Sequence, residues 1–340
     1  MRITRIQLVG LAAALAGVGA KDAEAGNVNI TTATTTPLST SAPAAPGDLT
    51  PGDVTIAAGG SITVTAGQTA VTVNSSNNVS NAGTLASTDA INTTAISILG
   101  GNVGPNTITN SGSINLSETY VLADTDSDGD LDGAFATGTN RHGIFLQAGP
   151  TFTGNIVNTG SIFVEGQNSA GIRLDGRLTG NFDSSGSINI TGENSTGIAI
   201  NGGGAGGVTG DVIVRGGVSV RGQNSTGLSV AAPIGGQLRI NGSWLATGFH
   251  SITRPANTAT LEPLDDLLIG GPAVAVHYSV AGGITIEGVG VEDDLDDDGD
   301  GLLDGTAAEA NDDSSASINV FGSAPALLIQ ADPSATLVLG

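Results

Sequence analysis

A nine-residue stretch of this 340-residue chain occurs three times, as GQNSAGIRL at 166–174, GENSTGIAI at 192–200 and GQNSTGLSV at 222–230. The copies start 26 and 30 residues apart, and each keeps the same Asn and the same Gly. Tandem similarity of this kind is typical of repeat proteins, in which each unit stacks on the next. The stretch therefore predicts a structural repeat.

Short segments with alternating apolar and polar residues flank each copy, such as 161–164 (SIFV) before it and 210–214 (GDVIV) after a turn. Three such segments per unit predict three short strands. We therefore expect an all-β, right-handed parallel β-helix with coils about 4.8 Å apart. Alternation directs Ile162, Ile172 and Leu174 into the bore. An antiparallel sandwich is the competing fold, disfavoured because sequence-adjacent units repeat.

The array extends beyond the three copies. GTNRHGIFL at 138–146 is a fourth copy, and weaker ones at 270–276 and 322–329 have Pro in place of the Gly. The repeated asparagines are predicted to form one corner column, because Asn tolerates left-handed dihedrals and its amides can stack. The repeated glycines are predicted to take positive φ there. The two sets are Asn140, Asn168, Asn194 and Asn224, and Gly143, Gly171, Gly197 and Gly227. Glycan or metal sites on the asparagines are the functional alternative.

The chain is strongly acidic, with a net charge of −22. This charge argues against nucleic acid and anionic membranes as partners and favours cations. Apolar residues make up 39% of the chain but aromatic residues 3%, so we expect a core of small and β-branched side chains. The chain has no cysteine, which rules out disulfides and thiolate metal sites.

The first twenty residues predict export. Two arginines in 1–5 are followed by an apolar run that ends in Val18-Gly19-Ala20, as in a signal peptide over 1–20. Cleavage after Ala25 is a second candidate. The run is shorter than the roughly 20 residues of a spanning helix, and no transmembrane helix is predicted in the mature chain. We divide that chain into irregular or capping coils at 21–107 and regular coils at 108–340, with insertions at 117–137, 249–269 and 292–315.

Two of these insertions carry the strongest chemical motif. DTDSDGDLD at 124–132 and DDDGDGLLD at 296–304 both follow D-x-D-x-D-G-x-x-D. Alternating aspartates around a Gly turn suit calcium, which takes about six to eight oxygen ligands. The predicted ligands are Asp124, Asp126, Asp128, Asp132, Asp296, Asp298, Asp300 and Asp304. An EF-hand has Glu at its twelfth position, where this chain has Phe135 and Ala307, so solvated acidic hairpins are the alternative.

No catalytic motif of a hydrolase, zinc protease or nucleotide-binding enzyme is found, and no catalytic residue is predicted. A polysaccharide lyase or hydrolase on the same scaffold is the alternative, because such enzymes cluster carboxylates and a basic residue across coils. The charged residues that could form this cluster are Arg173, Asp175, Arg177, Asp211 and Arg215. The three histidines, His142, His250 and His277, are predicted to lie on the surface.

The signal peptide, the cysteine-free chain, the G-S-I-x-[VI]-x-G-x-N-S-x-G-[IL]-x-[LIV] coils and the acidic insertions resemble the passenger region of a type V autotransporter of Gram-negative bacteria. The resemblance covers 1–340 and is most specific at 156–248. It implies export through the periplasm and display on the cell surface by a C-terminal membrane barrel. It also implies a structural or adhesive stalk, with cell-surface, matrix or glycan ligands. Residues 336–340 stop within a strand pattern, so we expect a fragment that lacks its barrel.

Overall fold

The computed structural model describes residues 26–43, 49–101, 106–125, 127, 131–253, 258, 261–262, 266–286, 316–333 and 335–340. Within these residues the chain forms short β-strands and one 3₁₀ helix, Gly203–Ala205. The strands build three parallel sheets that wind into a right-handed β-helix of nine coils. The predicted signal peptide at 1–20 lies outside the described residues.

The strands are β1 (Val28–Ile30), β2 (Ala33–Thr34), β3 (Leu38–Ser39), β4 (Val54–Ile56), β5 (Ser61–Thr63), β6 (Thr69–Val73), β7 (Val79–Asn81), β8 (Thr84–Thr88), β9 (Thr94–Ile98), β10 (Asn106–Asn110), β11 (Ser113–Ser117), β12 (His142–Leu146), β13 (Phe152–Asn158), β14 (Ser161–Glu165), β15 (Ala170–Leu174), β16 (Arg177–Thr179), β17 (Phe182–Ser184), β18 (Ile188–Thr191), β19 (Thr196–Ile200), β20 (Gly207–Val208), β21 (Val212–Val214), β22 (Val218–Arg221), β23 (Thr226–Val230), β24 (Leu238–Ile240), β25 (Ser243–Thr247), β26 (Val274–Val276), β27 (Ile284–Ile286), β28 (Ser317–Phe321) and β29 (Leu327–Ile329).

Each coil contributes one strand to each sheet. The first sheet runs β1-β4-β7-β10-β13-β17-β21-β24-β27, with β16 and β20 beside it, the second runs β2-β5-β8-β11-β14-β18-β22-β25-β28, and the third runs β3-β6-β9-β12-β15-β19-β23-β26-β29. Neighbouring strands are parallel and in register, as in the column Ile162, Ile188, Val218 and Trp244. The predicted β-helix is confirmed, and the antiparallel sandwich is excluded.

The inward-facing side chains form one continuous hydrophobic core. Ile162, Ile172 and Leu174 are fully buried, as predicted. Most of the other core residues are Val, Ile, Leu or Ala, because the three sheets enclose a narrow bore that small and β-branched side chains fill densely. Burying one such side chain contributes about 1.5–3 kcal/mol. Since each coil buries its core against its neighbours, stability belongs to the stack as a whole.

The repeated asparagines form the corner between the second and third sheets. Asn140, Asn168, Asn194 and Asn224 have φ angles of 56°, 52°, 54° and 58°, which confirms their predicted left-handed conformation. Some of their amides also stack, since Asn224 Nδ2 donates to Asn194 Oδ1 at 3.2 Å. The column begins earlier than the sequence copies indicated, because Asn92 has a φ of 54° and accepts a hydrogen bond from Asn140 at 3.0 Å.

The serine of the motif closes the same corner from inside. The buried hydroxyl of Ser195 accepts the N–H of Ser169 at 3.0 Å and donates to the carbonyl of Gly166 at 2.8 Å. Ser225 repeats this arrangement one coil further along, where its hydroxyl accepts the N–H of Ser195 at 3.0 Å. Each serine therefore satisfies a backbone donor of the preceding coil that would otherwise be buried without a partner.

The repeated glycines have a different purpose from the predicted one. Gly143, Gly171, Gly197 and Gly227 lie within strands and do not have positive φ, so that prediction is wrong. A Cβ added at Gly171 would lie 2.7 Å from the carbonyl oxygen of Gly197 and 2.6 Å from Cγ2 of Ile188. Adjacent coils thus approach too closely for any side chain. Positive φ falls instead on the first Gly of the motif, as in Gly192 at 142°.

The weaker copies also differ from their predicted alignment. Leu228 pairs with Val274, and Val274 pairs with Leu327. This register places Ala273 and Ala326, not proline, at the position of Gly227. The prediction that Pro replaces the Gly is therefore wrong by one residue.

A second asparagine column, absent from the sequence prediction, lies inside the bore on the first sheet. Asn81 Nδ2 donates to Asn110 Oδ1 at 2.7 Å, Asn110 Nδ2 donates to Asn158 Oδ1 at 2.8 Å, and Asn158 Nδ2 donates to Ser184 Oγ at 3.1 Å. All four side chains are fully buried. Apolar residues continue the column on both sides. The amides pair with one another across coils, which offsets the cost of their burial, and at the end of the ladder Asn81 Oδ1 has no hydrogen-bond partner among the described residues.

Candidate functional site

Two of the three insertions leave the same corner of the solenoid. The insertion predicted at 117–137 connects β11 to β12 in the fourth coil, and the one predicted at 249–269 connects β25 to β26 in the eighth. Both therefore leave the second sheet and re-enter the third at the asparagine corner. The insertion predicted at 292–315 lies outside the described residues, between β27 of the first sheet and β28 of the second.

A single carboxylate closes the base of the first insertion. Glu118 directly follows β11, and its carboxylate accepts the backbone N–H groups of Thr137 and Gly138, both at 2.7 Å. The backbone N–H of Glu118 in turn donates to the carboxylate of Glu165 in the next coil at 2.9 Å. These bonds hold the two ends of the insertion together, so the segment between them is a loop of fixed span.

Arg141 locks this base into the solenoid. Its guanidinium contacts the Glu118 carboxylate at 3.1 Å, and the two side chains are 1% and 4% exposed. Its Nε donates to the carbonyl of Ala90 at 2.7 Å, and its Nη1 donates to the carbonyl of Glu165. Arg141 occupies the position that serine holds in the other copies, which explains the GTNRHG variant of the motif. A buried pair with this many hydrogen bonds is costly to break, at about 3–5 kcal/mol.

The first and last residues of the first acidic motif, Asp124 and Asp132, are among the described residues of this insertion. Ala123 and Asp132 form an antiparallel bridge. The carboxylate of Asp132 accepts the backbone N–H and the hydroxyl of Thr125, the latter at 2.6 Å, and the carboxylate of Asp124 accepts the N–H of Ser127 at 2.6 Å. Two of the predicted calcium ligands therefore accept backbone hydrogen bonds within the insertion.

The other predicted ligands, Asp126, Asp128, Asp296, Asp298, Asp300 and Asp304, lie outside the described residues. Within the part of the chain that is described, no group of three or more His, Cys, Asp or Glu side chains is arranged to hold a metal ion. The carboxylate oxygens of Asp124 and Asp132 are the type of donor that calcium prefers. These two carboxylates are therefore suitable ligands for calcium, and the full set of calcium ligands remains a prediction.

The first insertion runs along the corner to meet the second. The side chain of Gln167 donates to the carbonyl of Ala136 at 2.8 Å, and the N–H of Phe135 donates to the Glu193 carboxylate at 2.7 Å. The ring of Phe135 then packs on His250 at the start of the second insertion, with ring centroids 4.4 Å apart. The variable residues of the motif, Gln167 and Glu193, thus support the insertion.

Within the described part of the chain, four of the five charged residues considered for a polysaccharide-acting enzyme have structural partners, the exception being Arg177. Arg173 pairs with Asp175 at 2.8 Å, and Arg215 pairs with Asp183 at 2.8 Å. The carboxylate of Asp211 accepts a backbone N–H of the next coil at 2.8 Å. These contacts connect neighbouring coils or neighbouring residues of one coil, and they do not bring the residues together as a carboxylate cluster facing a groove.

His142 is buried, so its predicted surface position is wrong. It begins β12, is 9% exposed and packs on Phe145 with ring centroids 4.9 Å apart. Burial, reinforced by the nearby positive charge of Arg173, lowers the pKa of His142 from 6.5 to about 4. The imidazole is therefore neutral at physiological pH.

Comparisons were made with protein-family models, curated proteins and solved structures. No match was found. The resemblance to autotransporter passengers therefore stays a prediction. Across the described residues, no helix is long and apolar enough to cross a membrane.

Sequence reasoning missed the residues that hold the first insertion. Arg141 was visible as the one charged residue at the serine position among the four copies, next to an insertion. Its partner Glu118 lies 23 residues earlier, on the far side of that insertion. Nothing in the sequence marks Glu118 among the many acidic residues.

Proposed function

We propose that the protein is an exported structural stalk of the bacterial cell surface, with calcium-stabilised insertions and an adhesive role. The observation that carries the proposal is the use of the repeated motif. Its Asn takes the corner conformation, its Ser bonds the preceding coil and its central Gly permits close stacking. Because these repeated residues serve coil stacking, a scaffold function accounts for the repeat.

Surface display rests on the sequence. The basic and apolar N-terminus favours export, and the resemblance to autotransporter passengers implies a C-terminal membrane barrel as partner. An elongated, cysteine-free stack needs no oxidative folding before it crosses an outer membrane. We expect the solenoid to be exposed outside the cell.

Antibodies against the purified solenoid test this location. They should label intact cells, and added protease should remove the signal without lysis. An antibody against a periplasmic protein, which should label permeabilised cells alone, is the control. Labelling that requires permeabilisation would exclude surface display.

Calcium would act on the acidic insertions. Five aspartates lie within 124–132, and like charges at alternate positions repel one another. A bound cation offsets this repulsion and stabilises the folded loop by mass action. Extracellular sites of modest affinity, with dissociation constants of about 10⁻⁴–10⁻³ M, are filled at the millimolar calcium of that environment.

Isothermal titration of residues 21–340 with calcium tests this part of the proposal. We expect about two sites, lost in the Asp128→Ala, Asp300→Ala double variant. Asp183→Asn is the matched control, because the partly exposed Asp183 carboxylate pairs with Arg215 on the solenoid and its loss should leave calcium binding unchanged. Calcium should also slow protease cleavage within the two acidic loops. No heat and no change in cleavage would leave these loops as solvated acidic hairpins.

A further inference from the structure

The outer face of the second sheet has a depression with an uncharged lining. Its volume is about 500 Å³, and it spans β18, β22, β25 and β28 of four successive coils. One column of outward-facing side chains crosses it, formed by Asn189, Ser219, Leu245 and Asn319. The described residues that line it include no charged side chain, although the chain carries a net charge of −22.

Gly217 widens this depression without a steric reason to be glycine. It precedes β22 at a register position where the neighbouring coils have Ser187 and Ser243. Its φ is not left-handed, and an added Cβ would contact the Ser243 carbonyl oxygen at 3.5 Å, an ordinary van der Waals distance. At Gly171, by contrast, backbone lies within 2.7 Å. The missing side chain at Gly217 therefore leaves room on the outer surface, where Leu245 and Phe321 also line the depression.

We propose that this depression binds a neutral oligosaccharide, a partner class that rests on the adhesive part of the proposed function. The Asn and Ser side chains recur at coil spacings of about 4.8 Å and can exchange hydrogen bonds with successive sugar hydroxyls. Leu245 and Phe321 supply apolar area for the C–H faces of sugar rings. Mixed polar and apolar lining of this kind suits a ligand that has both characters.

The negative charge of the protein and the uncharged lining of the depression favour a neutral sugar over a charged one. Anionic polysaccharides are repelled by the acidic protein and find no Lys or Arg in the lining. Among the described lining residues, a cationic ligand finds no carboxylate. A second copy of the chain would bring another net charge of −22, which opposes association through this face.

Backbone pairing excludes strand addition by an extended peptide. β22 pairs with β18 on one side and with β25 on the other, so these strands have no open edge beneath the depression. Strand addition requires such an edge. A ligand must therefore bind through side-chain hydroxyls, amides and apolar groups, which is how a sugar chain is recognised.

Trp244 is the single tryptophan of the chain, and its buried ring lies in the core beneath the depression, between the outward-facing Ser243 and Leu245, so it reports on ligand binding through the strand that it shares with them. Protein labelled with 5-fluorotryptophan would be titrated with cellohexaose, laminarihexaose and mannohexaose, and with hexagalacturonate as the charged comparison. We expect a saturable ¹⁹F shift with at least one neutral hexasaccharide, with a dissociation constant of about 0.1–1 mM. Hexagalacturonate should give none.

Variants separate the depression from the rest of the sheet. The Asn189→Ala, Asn319→Ala double variant should weaken binding about ten-fold. Gly217→Val, which fills the depression, should abolish it. Asn115→Ala is the matched control, since Asn115 occupies the same column two coils away and is exposed. Circular dichroism checks that each variant is folded.

Three results would overturn the proposal. They are no saturable shift with any neutral hexasaccharide up to about 10 mM, equal weakening by the control variant, and a dimer in sedimentation that the Gly217→Val change dissociates. The last result would assign the face to self-association. Surface labelling and calcium titration have separate readouts, so a negative result here would leave the stalk function standing.

Discussion

Removing one member of the buried asparagine ladder should cost more than removing the whole ladder. Asn110 accepts a hydrogen bond from Asn81 and donates one to Asn158, and all three side chains are fully buried. Asn110→Ala leaves a donor on one neighbour and an acceptor on the other without their ladder partner. Each stranded group costs about 1–3 kcal/mol, so we expect a loss of about 4 kcal/mol.

The triple variant Asn81→Val, Asn110→Val, Asn158→Val, made together with Ser184→Ala so that the buried Ser184 hydroxyl is not left without its ladder partner, removes the paired groups together. The same column already holds Ile56 below the ladder and Val214 above it, so the bore accepts β-branched side chains at this position. Replacing paired polar groups with apolar ones of similar size is nearly neutral. We expect the triple variant to lie within about 1 kcal/mol of the wild type.

Thermal unfolding followed by circular dichroism tests the comparison. An unfolding entropy of about 2.1 cal/mol/K per residue gives a chain of this length a shift of about 1.5 °C per kcal/mol. Asn110→Ala should therefore lower Tm by about 6 °C, and the triple variant by less than about 2 °C. Asn115→Ala, an exposed neighbour on β11, is the control and should have little effect. A triple variant less stable than Asn110→Ala would refute the reasoning.

Three further variants test other contacts. Gly171→Ala should cost about 2–4 kcal/mol, because its Cβ would meet the backbone of the next coil, whereas Gly217→Ala has room and should be nearly neutral in thermal unfolding. Arg141→Met should cost about 3–5 kcal/mol in denaturant unfolding by leaving a buried carboxylate unpaired. Arg215→Met breaks a largely exposed pair, and a cost equal to that of Arg141→Met would argue against the buried anchor. Because the pKa of His142 is lowered from 6.5 to about 4, the unfolded state takes up the proton first. Stability should fall as pH falls through this window, and an unchanged slope in His142→Gln would contradict the assignment.

The fold was predictable because the sequence repeats its signals locally. Alternation placed Ile162 and Ile172 inward, and side-chain period alone decides that direction in a strand. The corner asparagines were predictable for a similar reason, since left-handed backbone favours Asn whatever surrounds it. Both predictions depend on the intrinsic preferences of single residues, and the same preferences recur in each copy of the motif.

What the sequence did not reveal depends on contacts between coils. The NTITN sequence of β10 places Asn106 and Asn110 on the same face as Ile108, and a buried amide on that face needs hydrogen-bond partners that the strand itself does not show. Asn110 faces inward because partners stand above and below it, and these partners are 29 and 48 residues away. Gly171 was misassigned in the same way, since the backbone that excludes a side chain belongs to the next coil.

The acidic residues fall into two groups, those that stabilise the coils and those that lie in the insertions. Within the solenoid, carboxylates are used as structural acceptors, as Glu118 binds Arg141 and Asp211 binds an N–H of the next coil. Removing such a carboxylate strands a donor and weakens the stack. Half of the 32 acidic residues instead lie within 124–132 and 292–313, in two insertions. Glu118 holds the two ends of the first insertion together. Repulsion among the aspartates of this insertion therefore acts outside the part that Glu118 anchors. Its aspartates can therefore change in number, or gain and lose a cation, while the coils keep the hydrogen bonds that hold them together.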